Sequence, residues 1–274
     1  MSEQASLSKT AFQSAGQNFE LISKVQEYSF PDGWYELTSE SHFWFQWRLI
    51  ATLRQIERLE ISRVDRLKAL DVGCGAGVSR TQIESATNWI VDGADIDMAA
   101  LSQTKPGRGK MMYYDIHDEL EPFLEAYDVV FLFDVLEHID DTQSFIRSLL
   151  RHLKPQGVLL LNVPAWQSLY SHYDEVVGHV RRYNRKTLAA EFKDFGFRIE
   201  GMCYWGLTLV PLLVMRKLML KAMVKYPASE QIRRGFDPPG PVTHRLLKTA
   251  MRIETSIFND PPAGSSLLLA GRKI

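Results

Sequence analysis

Cysteine is scarce in this chain: Cys74 and Cys203 are the only two among 274 residues. Two cannot build a disulfide framework or a cysteine-rich zinc site. No charge of one sign dominates. Lys and Arg number 32 against 33 Asp and Glu, a formal net charge of −1, which argues against a generally basic nucleic-acid binder. No uninterrupted apolar run reaches about 18 residues, so no ordinary membrane-spanning helix is expected. The opening MSEQASLSKT carries no basic segment followed by an apolar stretch, and no secretory signal is visible. Internal repeats at solenoid spacing are missing too. These absences point to a reduced, cytoplasmic compartment and to no nucleic-acid partner. The remainder is ordinary: 45% apolar and 24% charged residues, which excludes bulk disorder. The length suits one large α/β domain with additions, or two small domains.

The charge is unevenly spread. Between Trp205 and Arg252 nine Lys and Arg face two acids, Glu230 and Asp237, so this segment carries +7 and the rest −8. A basic segment in an otherwise acidic protein suggests a local anionic partner.

Residues 1–18 are polar and patternless, as in a flexible tail. Over 39–60, Phe43, Trp47, Ile50, Leu53, Ile56 and Leu59 recur at helical spacing, with Ser39 or Ser41 as the cap. Strand-length apolar runs follow at 67–72, 89–95, 110–115, 127–133, 157–163, 197–204 and 266–271. Helices are predicted over 141–153 and over 184–195, the latter closed by Gly196, and 154–157 reads as a turn. Continuous apolar strands alternating with helices predict a parallel sheet between helical layers.

The chemical signal is Leu70-Asp-Val-Gly-Cys-Gly-Ala-Gly77: a buried strand running into glycines 73, 75 and 77. Glycine permits a tight turn and close approach of backbone to a ligand. Alone, the pattern competes evenly with a turn that binds nothing. Acids change the balance. Asp71, Asp95, Asp115 and Asp134 each sit at the carboxyl end of a predicted strand, and in open α/β sheets those ends border the ligand crevice. Four carboxylates would repel a pyrophosphate and suit a cationic, hydroxyl-bearing ligand.

Taken together, LDVGCGAG, GADID, the acid of YYDI, FDVLEHIDD and LKPQGVLLLNVPA, in that order over about residues 65–165, resemble the successive motifs of class I S-adenosylmethionine-dependent methyltransferases. Asp174 and Gly178-His-Val-Arg-Arg-Tyr183 resemble a bacterial, ubiquinone-methylase-like subgroup, often acting in glycan or lipid-linked pathways. The resemblance implies a Rossmann-like, seven-stranded, mostly parallel sheet with an antiparallel last strand. It also implies a division into a tail (1–18), an N-terminal helical lid (19–62), a cofactor-binding domain (63–204 and 265–274) and a helical insertion (205–264). By the same resemblance the cofactor is S-adenosyl-L-methionine. Gly73, Cys74, Gly75 and Gly77 would form its loop and Asp71 would hold its amino group. Asp95 would take the ribose, with Ile96 on adenine. Asp115 and Ile116 would flank the base, and Phe133 and Asp134 would border the sulfonium.

Other candidates rest on residue chemistry. His179 is the preferred general base, since histidine titrates near neutrality; its bland reading is a loop histidine bonding a carbonyl. By the resemblance, His138 of the LEH motif would order a loop or face substrate; Tyr183 would orient substrate or simply pack. Asp174, Arg181 and Arg182 are candidates for acceptor binding, the arginines for phosphate or carboxylate, or else for ion pairs with Asp174 or Glu175. Trp44 and Arg48, off the Phe43/Trp47 stripe, would close over the site, with Arg48 near the cofactor carboxylate. No set of residues has metal-ligand spacing; His172, Asp174 and His179 lack a fourth partner. Leu207–Val224 reads either as an in-plane membrane helix using Arg216, Lys217 and Lys221, or as an amphipathic helix docked on protein. The expected activity is methyl transfer to a small or lipid-linked acceptor, at oxygen, in a cytoplasmic protein touching the inner membrane face through 205–225. A non-catalytic binder of the same fold and a nicotinamide dehydrogenase are the alternatives, and oligomeric state is open.

Overall fold

The β-branched and aromatic runs pair as strands. The computed structural model describes residues 18–26, 39–222, 230 and 240–274. Its strands are β1 (Glu20–Leu21), β2 (Lys68–Val72), β3 (Ile90–Asp95), β4 (Met111–Tyr113), β5 (Tyr127–Phe133), β6 (Leu153–Pro164), β7 (Phe197–Trp205) and β8 (Ser266–Lys273). They form one sheet in the order β1-β4-β3-β2-β5-β6-β8-β7. β8 runs antiparallel to both β6 and β7, and the β1–β4, β2–β3, β2–β5, β3–β4 and β5–β6 pairs are parallel. From β2 the sheet grows one way through β3, and the other way through β5. That reversal opens a crevice at the carboxyl ends of β2 and β5.

Eight helices of at least one α-turn accompany the sheet among the described residues: α1 (Phe43–Arg58), α2 (Val78–Ala86), α3 (Met98–Leu101), α4 (Thr142–His152), α5 (His172–Val176), α6 (Arg185–Glu191), α7 (Val210–Ala222) and α8 (Gly240–Ile257). Alternation along β5 feeds two cores. Val130 and Leu132 pack with Phe145, Ile146 and Leu149 of α4 and Leu188 of α6. Val129, Phe131 and Phe133 pack with Phe43, Trp47 and Ile56 of α1, Ile83 of α2 and Met251 of α8. Each large aliphatic or aromatic side chain fully buried this way contributes about 1.5–3 kcal/mol, which is why these strands carry no polar face.

Several expectations are corrected. Among the described residues the sheet has eight strands, because Phe19 buries against Leu101, Met111 and Tyr113 and draws β1 onto the edge of β4. The 19–62 lid is therefore not wholly helical. His42, not Ser39 or Ser41, caps α1, its Nδ1 accepting from the Trp44 amide at 3.3 Å. The turn at 154–157 is absorbed into β6; Gln156 takes the left-handed conformation there (φ +62°), and Lys154 Nζ donates to Asp128 at 2.7 Å. α6 ends at Glu191, four residues earlier than predicted, and Gly196 (φ +57°) lies beyond it. The expected tail falls outside the described residues save for Asn18, which donates to the Thr104 carbonyl at 3.1 Å.

The long connection between β7 and β8 begins with a 3-10 turn, Leu207–Leu209, and holds α7 and α8. A buried carboxylate fixes its root. Glu254 of α8 accepts from the amides of Gly206 (2.9 Å), Leu207 (3.0 Å) and Thr208 (2.8 Å). Arg54 of α1 donates to the carbonyls of Thr255 and Phe258 at the end of α8. Arg216 and Lys217 do not face outward as an in-plane membrane helix would have them. Arg216 lies over the Tyr173 ring at 3.9 Å, and Lys217 donates to the Ser168 carbonyl at 2.9 Å. The side chain of Lys221 lies outside the described residues. Replacing Glu254 with Ala strips three amides of their acceptor at once. It should lower stability by about 2–4 kcal/mol, measured by urea unfolding; an unchanged midpoint would refute this clasp.

Candidate active site

A cavity of about 890 Å³ occupies the crevice, and Gly73, Cys74, Gly75, Asp95, Ile96, Asp115, Ile116, Phe133 and Asp134 line it. The glycine loop behind β2 is sterically committed. Gly73 has φ +70°, and a Cβ there would come within 2.3 Å of Val135 Cγ2. Its amides are spent internally: Gly73 and Cys74 donate to the Ala94 carbonyl at 2.8 and 3.2 Å, and Gly75 to Asp95 Oδ2 at 2.7 Å. The loop can therefore offer a ligand carbonyl oxygens rather than N–H donors, which favours a cation.

Burial sets the charge of the acids. The Asp95 carboxyl is pushed up to about 6, the amides of Gly75 and Asp97 partly offsetting the burial. Asp71 is not on the cavity wall; it lies behind it, 2% exposed. Burial pushes its carboxyl up to about 7 against the opposing pull of Arg48, and its Oδ2 has no hydrogen-bond partner. Asp115 accepts from the His117 amide and from Gln26 Nε2, both at 3.0 Å. Asp134 has the left-handed φ of +58°. Its carboxylate accepts from Arg48 Nη1 at 2.5 Å and from Asn162 Nδ2 at 2.8 Å. Arg48 also donates to Ser79 Oγ at 2.6 Å and lies 4.8–5.0 Å from the Trp44, Phe45 and Phe133 rings. It reaches the cavity as an internal counter-ion of Asp134.

Opposite stand His138, His179, Arg182, Glu137 and Tyr173. His179 Nδ1 is 2.8 Å from Asp174 Oδ1. Asp174 is fully buried and also accepts from Arg182 Nε (2.7 Å) and the Ser171 amide (2.8 Å). Burial would raise Asp174, but the His179 hydrogen bond and the Arg182 charge outweigh it and hold the carboxyl well below its ordinary value. Burial lowers His179, against the pull of Asp174, so the ring is neutral near pH 7. Glu137 is buried, with neither oxygen hydrogen-bonded; burial and the neighbouring Asp134 charge push it well above the carboxylate range. His138 Nδ1 donates to the Gly178 carbonyl (3.0 Å), and burial lowers the ring to about 3.

Some expected residues stand off the wall. Gly77 instead begins α2 at φ +77°. Asp174 sits behind His179. Arg181 donates to the Asp140 carbonyl at 3.2 Å, facing outward. Tyr183 is 2% exposed in the core, its backbone bridged to Ala165. Arg182 is taken up by Asp174, so one arginine forms an ion pair and the other binds a surface carbonyl. Glu137, Asn162 and Tyr173 were missed. Glu137 stands inside the LEH motif and was legible there; Tyr173, whose hydroxyl is buried without a partner, carried no signal. Glu137, His138 and His179 present ligand atoms within 4.8 Å of one another, the grouping among the described residues that could hold a metal ion; His172 is not part of it.

Residues 43–201 match the model of a methyltransferase-domain family. The chain belongs to that family. Class I S-adenosylmethionine-dependent methyltransferases are thus its kin in sequence and fold, and S-adenosylmethionine is the family's cofactor; the dehydrogenase alternative drops out. A ubiquinone biosynthesis O-methyltransferase of Rickettsia canadensis is 31% identical over 103 residues, 36% of this chain and 43% of that protein. The match thus spans less than half of that relative's length. A probable S-adenosylmethionine-dependent methyltransferase of Mycolicibacterium smegmatis is 28% identical over 59% of this chain and 62% of its own. Two solved structures share the fold. One is Haemonchus contortus phosphoethanolamine N-methyltransferase 2 with S-adenosyl-L-methionine (TM-score 0.52, 18% identity, 82% of this chain and 52% of that chain). The other is Streptomyces coelicolor geranyl diphosphate C-methyltransferase (TM-score 0.52, 13% identity, 83% and 77%).

The raised carboxyls have a consequence for stability. In the folded chain Asp71 holds its proton up to about pH 7, against an ordinary value of 3.8 in the unfolded chain. The folded state thus holds the extra proton in that window. This contribution is full below the unfolded value, declines as pH rises, and is gone above about 7. Asp71→Asn should therefore flatten the fall in melting temperature between pH 4 and 8. Parallel profiles for the two proteins would overturn the assignment.

Proposed function

We propose that this methyltransferase moves a methyl group from S-adenosylmethionine to a hydroxyl oxygen of a small or lipid-linked acceptor. The observation that carries the reading is one cavity bounded by strand-end carboxylates on one side and by a histidine–aspartate pair on the other.

The residues fit the cofactor. A buried carboxyl oxygen without a partner, on Asp71, lies behind a loop that can present carbonyls, and three further carboxylates line the same cavity. Asp71 would hold the amino group, with Gly73, Cys74 and Gly75 along the methionine part. Asp95 would hold the ribose. Ile96, Asp115 and Ile116 would hold the base, with Phe133 and Asp134 by the sulfur and Arg48 near the carboxylate. When bound, the cofactor supplies a sulfonium methyl that needs only an aligned nucleophile. A cation there also offsets the desolvation of the acids.

His179 serves as the base. Asp174, ionised and locked by Arg182, accepts a hydrogen bond from His179 Nδ1–H, which leaves the Nε2 lone pair for the acceptor hydroxyl. As His179 takes the proton, Asp174 stabilises the imidazolium; such general-base assistance contributes about 10²–10⁴-fold. Glu137 Oε1, 3.7 Å from His179 Nε2, borders the same spot. His138 packs edge-on against His179, ring centroids 4.8 Å apart, and orients it. Trp44 and Tyr173 form the acceptor's polar and aromatic border. Leu212, Leu213, Met219 and Leu247 of the insertion add an apolar wall, which suits an acceptor with a hydrocarbon part. Oxygen as the target draws support from the named activity of the Rickettsia relatives. Attachment is peripheral in this reading: among the described residues no helix is long and apolar enough to cross a membrane.

Asp95→Ala should abolish heat release on titration with S-adenosylmethionine or its demethylated product; retained binding would undo the site. His179→Gln should cut turnover by about 10²-fold or more while leaving cofactor affinity within about twofold. Equal rates would remove His179 as base, and a wild-type protein that binds the cofactor yet methylates nothing in cell extract would favour the non-catalytic alternative.

A further inference from the structure

We propose that the outer faces of α7 and α8 form a docking surface for an anionic lipid bilayer, onto which the acceptor side of the cavity opens. Among the described side chains the outward side of α7 is apolar: Leu212, Val214, Met215, Leu218 and Met219 are exposed, Leu218 by 64%. These positions fall on one broad side of a helix, and Arg216 and Lys217 are turned to the opposite side, held against Tyr173 and Ser168. On α8 the exposed residues Val242, Leu246, Ile253 and Ile257 recur at helical spacing, with exposed Arg245 and Arg252 among them. Single exposed apolar residues need no explanation, but two helices each presenting such a face do.

Charge chooses the occupant. Arg245 and Arg252, two of the cations of the basic segment from Trp205 to Arg252, are exposed beside the apolar residues of α8. A second copy of this chain would bring the same positive segment against itself across a two-fold axis. An anionic headgroup layer satisfies both the cations and the apolar faces: the side chains enter the acyl boundary and the cations meet the phosphates. Continuity with the cavity adds a function. Leu212, Met215 and Met219 are exposed and also line the cavity, so its apolar wall is continuous with the outer face. An acceptor with a hydrocarbon tail can pass from the bilayer into the cavity without its tail crossing water. That last step rests on the methyl-transfer reading; the docking itself does not.

The test uses the full chain in flotation with vesicles of phosphatidylcholine alone and of phosphatidylcholine mixed with phosphatidylglycerol. Binding is expected to the mixed vesicles and to weaken with added salt. The double variant V214E/L218E alters exposed positions off the cavity wall and should bind about tenfold more weakly or less. R245E/R252E should lose the preference for anionic vesicles. Both should keep the parent's melting temperature and its affinity for S-adenosylhomocysteine. Failure of the intact protein to float with anionic vesicles, or undiminished binding by V214E/L218E, overturns the proposal. So does self-association that V214E/L218E abolishes, which would make this face a contact between copies. A silent cofactor titration alongside intact vesicle binding would strike the methyl-transfer reading and leave the docking surface standing.

Discussion

Putting several carboxylates into one half-buried crevice is unfavourable, and much of the site is arranged around that cost. Asp71, Asp95 and Asp134 are all raised by burial. The protein offsets the expense only in part. Arg48 is the internal counter-ion of Asp134, held among three aromatic rings, while Asp95 relies on backbone amides and Asp71 has one oxygen unmatched. A site that leaves negative charge incompletely compensated is complementary to a ligand that arrives positive. The glycine loop agrees with this, because its amides are already engaged with Ala94 and Asp95.

Much of this was legible in the chain itself. Strand-length apolar runs pointed to seven of the strands, because residues buried on both faces must be apolar whatever their neighbours; the antiparallel direction of the last strand came from the resemblance of the motifs. The strand-end acids were legible because the fold's connectivity brings every such end to one side. Elsewhere local pattern lost to tertiary contact. Two residues, Glu20 and Leu21, became a strand only because Phe19 had a pocket to fill. Gly196 looked like a helix terminator, yet α6 stops earlier. Arg216 and Lys217, at helical spacing with apolar neighbours, suggested an outward basic stripe; the cavity and the Ser168 carbonyl claimed them instead.

The catalytic side shows the same division. His179 and Asp174 lie five residues apart in one short segment, and Arg182 follows closely, so one stretch of chain supplies a base, its orienting carboxylate and the cation that keeps the carboxylate ionised. Glu137 comes from a separate motif after β5, and Tyr173 from α5. Their meeting with His179 depends on how β6 is placed between those segments, which no spacing in the sequence reveals.

Asn162 of β6 gives these parts a shared mechanical element. Its side-chain Nδ2 donates to Asp134, which holds Arg48, and its Oδ1 accepts from Trp205 Nε1 at 2.8 Å, at the point where the chain leaves the sheet for the insertion. Trp205 in turn lies against Trp44 of α1. A single amide thus acts as the pivot pin joining the floor of the crevice to the base of its roof, and neither can shift its footing without the other bearing the strain.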